Sequence, residues 1–287
     1  MEARELTHQL GGSWRNGSGS AACPVCQSSR RKGQNALSIG DANGKLLLHC
    51  FKHGCSFEDV ANAVNLPFGD AQIDFEAQRE REAKQAEYSA FKLKSARNLW
   101  SRANPIKDTK AEQYLRGRGI TCDLPGTLRF VPDLYHAPSE SRCMAMIGKI
   151  ELTSGVHRTF LDKRGNRLAK SAKMMLGPCA GGAVRLSKGD GPLVVCEGIE
   201  TGLSLLSGLL SERATVWAAL STSGIRGLAL PPKPHKLVIA SDGDTPGRAA
   251  AHALAERAQT SGWQVSLLPA PDGFDWNDIL TNIGGNA

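Results

Sequence analysis

LVIASDGDTPGRAAA, residues 237–251, decides the fold. Residues 237–241 suit a buried strand and run into two aspartates, Asp242 and Asp244, one residue apart. Pro246 and Gly247 follow, and then an alanine-rich run suited to a helix. A strand that passes through a short acidic turn into a helix is a βα unit. Carboxylates this close repel one another, so the turn predicts a neutralising partner, and a divalent cation is the simplest.

The same grammar extends on both sides. LVVCEG, residues 193–198, reads as a buried strand ending at Glu197, followed by the apolar-faced helix IETGLSLLSGLL. ATVWAAL is a strand leading into the small-residue loop STSG. GRAAAHALAERAQTSG is a helix, QVSLLPAP a last strand, and DGFDWNDIL closes the segment. Alternating strands and helices predict a parallel sheet covered on both faces. Sites in such sheets lie at the carboxyl ends of the strands, where Glu197, Asp242 and Asp244 all fall. Oxygen ligands of this kind suit Mg²⁺ or Mn²⁺.

The charge is unevenly spread. Residues 101–192 carry 16 Lys and Arg against 8 Asp and Glu, whereas residues 193–287 carry 6 against 9. A basic segment beside an acidic one fits a polyanion track leading to a cation site. TKAEQYLRGRGI reads as a short helix stopped by Gly117 or Gly119. CMAMIGKIEL and VHRTFLD are strand-like, and KRGN, residues 163–166, is a turn that gives a hairpin. Arg142, Arg158, Lys170 and Lys173 are the candidates to hold phosphates of a nucleic acid or a nucleoside triphosphate without reading sequence.

Nearer the N-terminus, Cys23 and Cys26 in CPVC are followed by Cys50 and Cys55 in HCFKHGC. Two such pairs can clamp one structural Zn²⁺ from two knuckles. The second knuckle is longer than usual, so His53 competes with Cys55 as fourth ligand, and Cys55 is favoured. ALSIGDANGKLLLHC between them reads as a hairpin turning at Asn43-Gly44, as in a zinc ribbon. Arg30, Arg31 and Lys32 stand beside the knuckle, within reach of phosphates or simply exposed. Ser56 with Asp59 marks a helix start, and Pro67, Phe68 and Gly69 close the unit. Residues 70–104 are polar, charge-balanced and rich in helix formers, which predicts a solvated connecting helix.

Several classes are excluded. No apolar run approaches the roughly 18 residues of a membrane span. MEARELTHQLGG lacks the apolar core of a secretion signal, so a cytoplasmic protein with no membrane partner is expected. Eight cysteines in such a chain point to metal binding and buried thiols rather than a disulfide framework.

VVCEG followed by SDGDTPGRAAA resembles the Toprim domain shared by DnaG-type primases, topoisomerases, OLD-family nucleases and RNase M5-like enzymes. The order of CxxC ribbon, YLRGRGI helix, basic strands and K-x-x-K before that domain is similar to bacterial primases. MMLGPCAGGAVRL, EGIETGLSL and the closing DWNDIL resemble the Toprim primases of phages, plasmids and integrated elements. The resemblance implies an α/β chain in four parts. These are a zinc-ribbon domain at 1–69, a helical linker at 70–104, a small basic α+β subdomain at 105–192 and a Rossmann-like Toprim domain at 193–287. It implies that Glu197 serves metal binding or acid/base work and that Asp242 and Asp244 form the metal-binding pair, with Asp275 or Asp278 as a further carboxylate. Lys170, Lys173 and Arg158 match basic positions flanking a primase active site.

The function so implied is synthesis of short RNA primers on single-stranded DNA from NTPs, with two Mg²⁺ or Mn²⁺ ions and one structural Zn²⁺. The resemblance extends the expected partners to a replicative helicase. Two alternatives stand beside it: a Toprim nuclease that hydrolyses phosphodiesters with the same carboxylates, and a non-catalytic accessory that binds single-stranded DNA. A topoisomerase is disfavoured, because it needs a tyrosine in a domain of its own and only Tyr88, Tyr114 and Tyr135 occur.

Overall fold

The computed structural model describes residues 2–15, 17–27, 35–42, 45–66 and 75–284. Arg30, Arg31, Lys32, the Asn43-Gly44 turn, and Pro67, Phe68 and Gly69 lie outside the described residues. The chain forms two compact units, residues 1–78 and 79–287. Among the described residues no helix is long and apolar enough to cross a membrane.

The first unit opens with α1 (Ala3–Gln9), followed by β1 (Ser13–Arg15), β2 (Ser18–Ala21), β3 (Leu37–Ala42), β4 (Lys45–Cys50) and α2 (Phe57–Ala63). The four strands form one antiparallel meander in chain order, and β3 and β4 pair from Leu37–Cys50 to Ala42–Lys45, the expected hairpin. Leu6, Ala21, Leu37, Ile39 and Val60 make its small core. Ser56 caps α2 by accepting the Asp59 amide at 3.1 Å, as the Ser-x-x-Asp spacing predicts.

The second unit contains α3 (Phe75–Arg102) from residue 79 onward, then β5 (Asn104–Pro105), α4 (Lys110–Gly117), β6 (Leu128–His136), β7 (Ser141–Lys149), β8 (Val156–Leu161), β9 (Lys173–Leu176) and β10 (Val184–Arg185). Next come β11 (Leu193–Cys196), α5 (Ile199–Ser204), β12 (Thr215–Ala218), α6 (Thr222–Gly227), β13 (Lys236–Ala240), α7 (Thr245–Thr260), β14 (Gln264–Leu267) and α8 (Trp276–Gly284). Strands β5 to β9 form an antiparallel sheet in chain order. The turn at residues 163–166 forms, but it closes only onto a single bridge at Arg167, and the long partner of β8 is β9.

Residues paired across antiparallel strands share a face, and neighbours along a strand alternate. One face of this sheet carries Val131, Ala145, Ile147 and Phe160, which pack on Ala96, Leu99 and Ala103. The expectation of a solvated connecting helix is therefore corrected for the C-terminal part of α3, which forms one wall of a core. Its earlier turns are exposed, as their polarity predicts. The opposite face carries Leu128, Phe130 and Met146, packed with Ala111 and Leu115 of α4 and with Ile199 and Leu203 of α5. α4 ends at Gly117, and Gly119, two residues on with φ +76°, turns the chain away.

The C-terminal sheet has the order β10-β12-β11-β13-β14. β12, β11, β13 and β14 are parallel, as the alternation of strands and helices predicts. The short β10 adds an antiparallel edge to β12 that sequence reading does not foresee. α5 covers one face, while Ala250 and Leu254 of α7 pack on Val195, Leu237 and Ile239 from the other. Helices after the neighbouring strands β11 and β13 thus leave on opposite sides. That divergence opens a crevice at the carboxyl ends of those two strands.

Candidate active site

Cys196 and Ala240 are register partners at the ends of β11 and β13, so Glu197 and Asp242 leave the sheet side by side. Asp244 is the N-cap of α7, its Oδ1 accepting the Gly247 amide at 2.7 Å. A Cβ at Gly247 would stand 2.8 Å from that oxygen, so the tight acidic turn needs glycine there. The Gly243 amide donates to the Phe274 carbonyl at 2.9 Å, which draws the start of α8 toward the turn. Asp275 caps α8, accepting from the Asn277 and Asp278 amides.

Burial raises the Asp242 carboxyl, and the charges of Glu197, Asp275 and Asp244 add to it, bringing it to about 7. Its Oδ1 is buried with no hydrogen-bond partner. Glu197 is raised too, by burial and then by Asp244. This is the electrostatic signature of a site that wants a cation. Glu197, Asp242 and Asp244 offer the hard oxygen donors that suit Mg²⁺ or Mn²⁺, and the orphaned Oδ1 is a free ligand atom. Asp275 faces Asp242 closely enough to raise it. The Asp278 carboxylate accepts the Asp275 amide at 3.0 Å, closing a capping box at the start of α8.

Of the four expected basic residues, Lys173 reaches this crevice: its ammonium acts to lower both Glu197 and Asp242. It is held by Glu200, whose Oε2 accepts from Nζ at 2.8 Å. Glu200 is only 4% exposed, and its Oε1 accepts the Tyr114 hydroxyl at 2.9 Å. Burial alone would raise Glu200, but the Lys173 ammonium overrides this and brings it down to about 2. Burial also holds His157, which lies near Glu200 and Lys173, at about 4, so it is neutral at pH 7. Sequence reading does not single out Glu200, Tyr114 or His157. The one available signal is an acid at position 200, on the inner face of an otherwise apolar helix.

The other three basic candidates sit elsewhere. Arg158 is paired with Ile147 and Met174, which places it on the α3 side of the sheet, away from the face carrying Lys173. There it donates to the Met175 carbonyl at 2.9 Å and lies over the Phe160 ring. Residue alternation within VHRTFLD decides this, and position in sequence alone does not reveal it. Arg142 is bound to Asp133 at 2.6 Å on an exposed surface. Lys170 is exposed in the bend before β9.

In the first unit the sulfurs of Cys23, Cys26, Cys50 and Cys55 all lie within 4.8 Å of one another, an arrangement that can take one tetrahedral zinc. His53 is outside this group. It contributes its amide, which with those of Cys55 and Lys52 points at the Cys50 sulfur. Burial would raise the Cys50 thiol, yet these amides bring it down to about 5. That is the thiolate a zinc knuckle needs. Burial, with the adjoining Cys50 and Cys23 thiols, pushes Cys26 up to about 12 when no cation offsets the crowding.

Comparison with known proteins finds matches to two family models and to solved structures. Residues 192–286 match the Toprim domain family, and residues 90–186 match DUF7146, a domain of unknown function. No curated protein matches the chain. Among solved structures, the zinc-binding and RNA polymerase domains of the Aquifex aeolicus primase align over 100% of this chain and 81% of that one. The identity is 14% and the TM-score 0.39. A DNA primase domain from Pseudomonas aeruginosa aligns over 66% of this chain and 73% of that one, at 18% identity and TM-score 0.39. The RNA polymerase domain of Mycobacterium tuberculosis primase DnaG aligns over 70% and 81%, at 15% identity and TM-score 0.40. The C-terminal α/β unit is a Toprim domain, and it holds the carboxylate crevice.

Proposed function

We propose that this protein is a primer-synthesising nucleotidyl transferase that joins ribonucleotides on a single-stranded DNA template. The observation that carries the reading is the crowding of Glu197, Asp242 and Asp244 at the divergence of β11 and β13, with Lys173 facing them. Divalent ions bound there would polarise the reacting phosphoryl group and lower the pKa of the attacking 3′ hydroxyl. Glu197 and Asp242 would hold the ions and Asp244 would add a third carboxylate, while its side chain fixes the turn through its cap on α7. Asp242 would bind such an ion as its carboxylate. Lys173, clamped by Glu200, places a positive charge where phosphoryl oxygens would lie and costs little reorganisation when charge develops. The four-cysteine unit fits a structural zinc that steadies a template-holding domain. Template and NTPs are the partners on this reading, and a replicative helicase would deliver the unwound strand.

A gel assay with single-stranded DNA, labelled NTPs and Mg²⁺ or Mn²⁺ tests it. Labelled products that depend on template support synthesis. Shortened DNA would replace it with phosphodiester hydrolysis, and binding without either product would leave a replication accessory.

A further inference from the structure

The β10 edge of the Toprim sheet carries a groove that the metal crevice, between β11 and β13, does not use. Two cavities, of about 360 and about 490 Å³, open there and share Glu151, Arg185 and Trp217. The first has aliphatic walls: Leu152 of the turn after β7, Ala183 just before β10, and Leu230, Pro231 and Pro232 between α6 and β13. Those walls are tied to one another. The Glu151 amide donates to the Ala183 carbonyl at 2.9 Å, and the Ala229 amide donates to the Gly181 carbonyl at 3.0 Å.

Two observations ask for an occupant. Trp217 is 8% exposed, and its Nε1 is buried without a hydrogen-bond partner. A buried indole N–H normally finds an acceptor, and leaving it without one is unfavourable. The Arg185 guanidinium lies over this indole, 4.9 Å from the ring centre, and is bound to Glu151 at 2.9 Å. Both charges are partly exposed, and such surface pairs are weak enough to rearrange. The second observation is Leu152, which is 73% exposed at the cavity rim and has φ +78°. A leucine rarely adopts that conformation, so the fold holds a strained backbone to present an aliphatic side chain to solvent.

Charge selects the occupant. Residues 179–189 and 222–236, which supply most of the walls, contain Arg185, Lys188, Arg226, Lys233 and Lys236 and no Asp or Glu. A second copy of the chain would set this basic rim against itself. A nucleic-acid strand would find the face of the indole covered by Arg185. We propose that the groove docks an extended acidic peptide segment of a partner protein. An aliphatic side chain of the peptide enters between Leu152 and Pro232, and a neighbouring backbone carbonyl accepts the Trp217 N–H. Carboxylates on either side of that anchor meet the basic rim as Arg185 leaves the indole. Docking there needs neither bound metal nor polymerisation.

The test uses the full chain. A displayed library of random twelve-residue peptides is selected on the parent, and the most enriched peptide is made with blocked ends and titrated by fluorescence anisotropy. Selection should enrich an aliphatic residue or proline bracketed by Asp and Glu. Leu152→Asp should weaken that peptide about tenfold or more, through lost contact and added repulsion. Its unfolding midpoint should match the parent, because the side chain is exposed. Trp217→Phe should weaken the peptide roughly threefold to tenfold, the worth of one hydrogen bond. The control is Leu267→Asp, an exposed leucine on β14 at the opposite edge of the sheet, and it should change nothing. The chain has five tryptophans, so its labelled indole N–H spectrum is simple. The resonance missing from Trp217→Phe should move downfield when the peptide binds the parent. The proposal is overturned if no acidic peptide is enriched, if Leu152→Asp binds the peptide as the parent does, if Leu267→Asp weakens it as much, or if the Trp217 resonance stays in place. Loss of oligo-dT affinity in Leu152→Asp without loss of the peptide would give the surface to a nucleic-acid strand. A parent dimer that Leu152→Asp dissociates would give it to a second copy, and either result overturns the proposal as well.

Discussion

Replacing Asp242 with asparagine keeps the side chain's size and removes one charge from the crevice. Without a bound cation the folded protein holds this carboxyl at about 7, against an ordinary 3.8. A carboxyl raised by folding binds its proton more tightly in the folded chain than in the unfolded one. Stability therefore falls as pH rises from about 4 to about 7 and stays low above that. The shift is roughly three units at 1.36 kcal/mol each, a ceiling of about 4 kcal/mol. The site is partly open to water, and screening reduces this to about 1–2 kcal/mol. Asp242→Asn should accordingly unfold about 2–6 °C higher than the parent at pH 8 in buffer without added divalent ions. The gap should shrink at pH 5, where the parent carboxyl is protonated. Millimolar Mg²⁺ should raise the parent and leave the variant nearly unmoved. Differential scanning calorimetry at the two pH values, with and without Mg²⁺, measures all three effects. An asparagine variant that is less stable than the parent at pH 8, or that gains as much from Mg²⁺, refutes the electrostatic account of the crevice.

Glu200→Gln should lower the unfolding free energy by about 1–3 kcal/mol, since it replaces the charged acceptor of Lys173 in a buried position. The Glu200 contribution is full above about 4.5 and lost as pH falls toward 2, so parent and variant should converge in acid, as urea titrations at pH 7 and 3 would show. Elemental analysis should find one zinc per parent chain, a loss in Cys55→Ser and retention in His53→Ala; the reverse pattern would overturn the ligand set. Gly247→Val should lose at least tenfold in any metal-dependent activity, because the added side chain collides with the Asp244 carboxylate that caps α7; unchanged activity would show that the turn has slack.

The parallel sheet was legible because strands alternate with helices, and the apolar runs of β11, β12 and β13 end at Glu197, Ser221 and Ser241, residues suited to a loop. That put Glu197, Asp242 and Asp244 on one edge before any coordinates. β6 was not legible: Pro132 and Asp133 interrupt its alternation, and the structure absorbs them as an irregularity between Val131 and Leu134. The faces of the antiparallel sheet were equally hidden. Arg158 and Lys173 look equivalent as basic residues near the crevice, but pairing register sends one toward α3 and the other toward Glu200. The linker helix misled because its mean polarity conceals Ala96 and Leu99, small and apolar residues confined to its last turns, with Ala103 just beyond its end. Glu200 escaped because an acid on a helix is ordinarily solvated, and its partners Tyr114 and Lys173 lie 86 and 27 residues away.

The cation site is tested most directly by titrating Mn²⁺ into the zinc-loaded chain and following the free ion by electron paramagnetic resonance. The parent should bind at least one Mn²⁺ that Glu197→Gln, Asp242→Asn and Asp244→Asn each weaken about tenfold or more, with the four-cysteine zinc retained. Equal Mn²⁺ binding in the parent and all three variants would contradict the claim that these carboxylates form a metal centre.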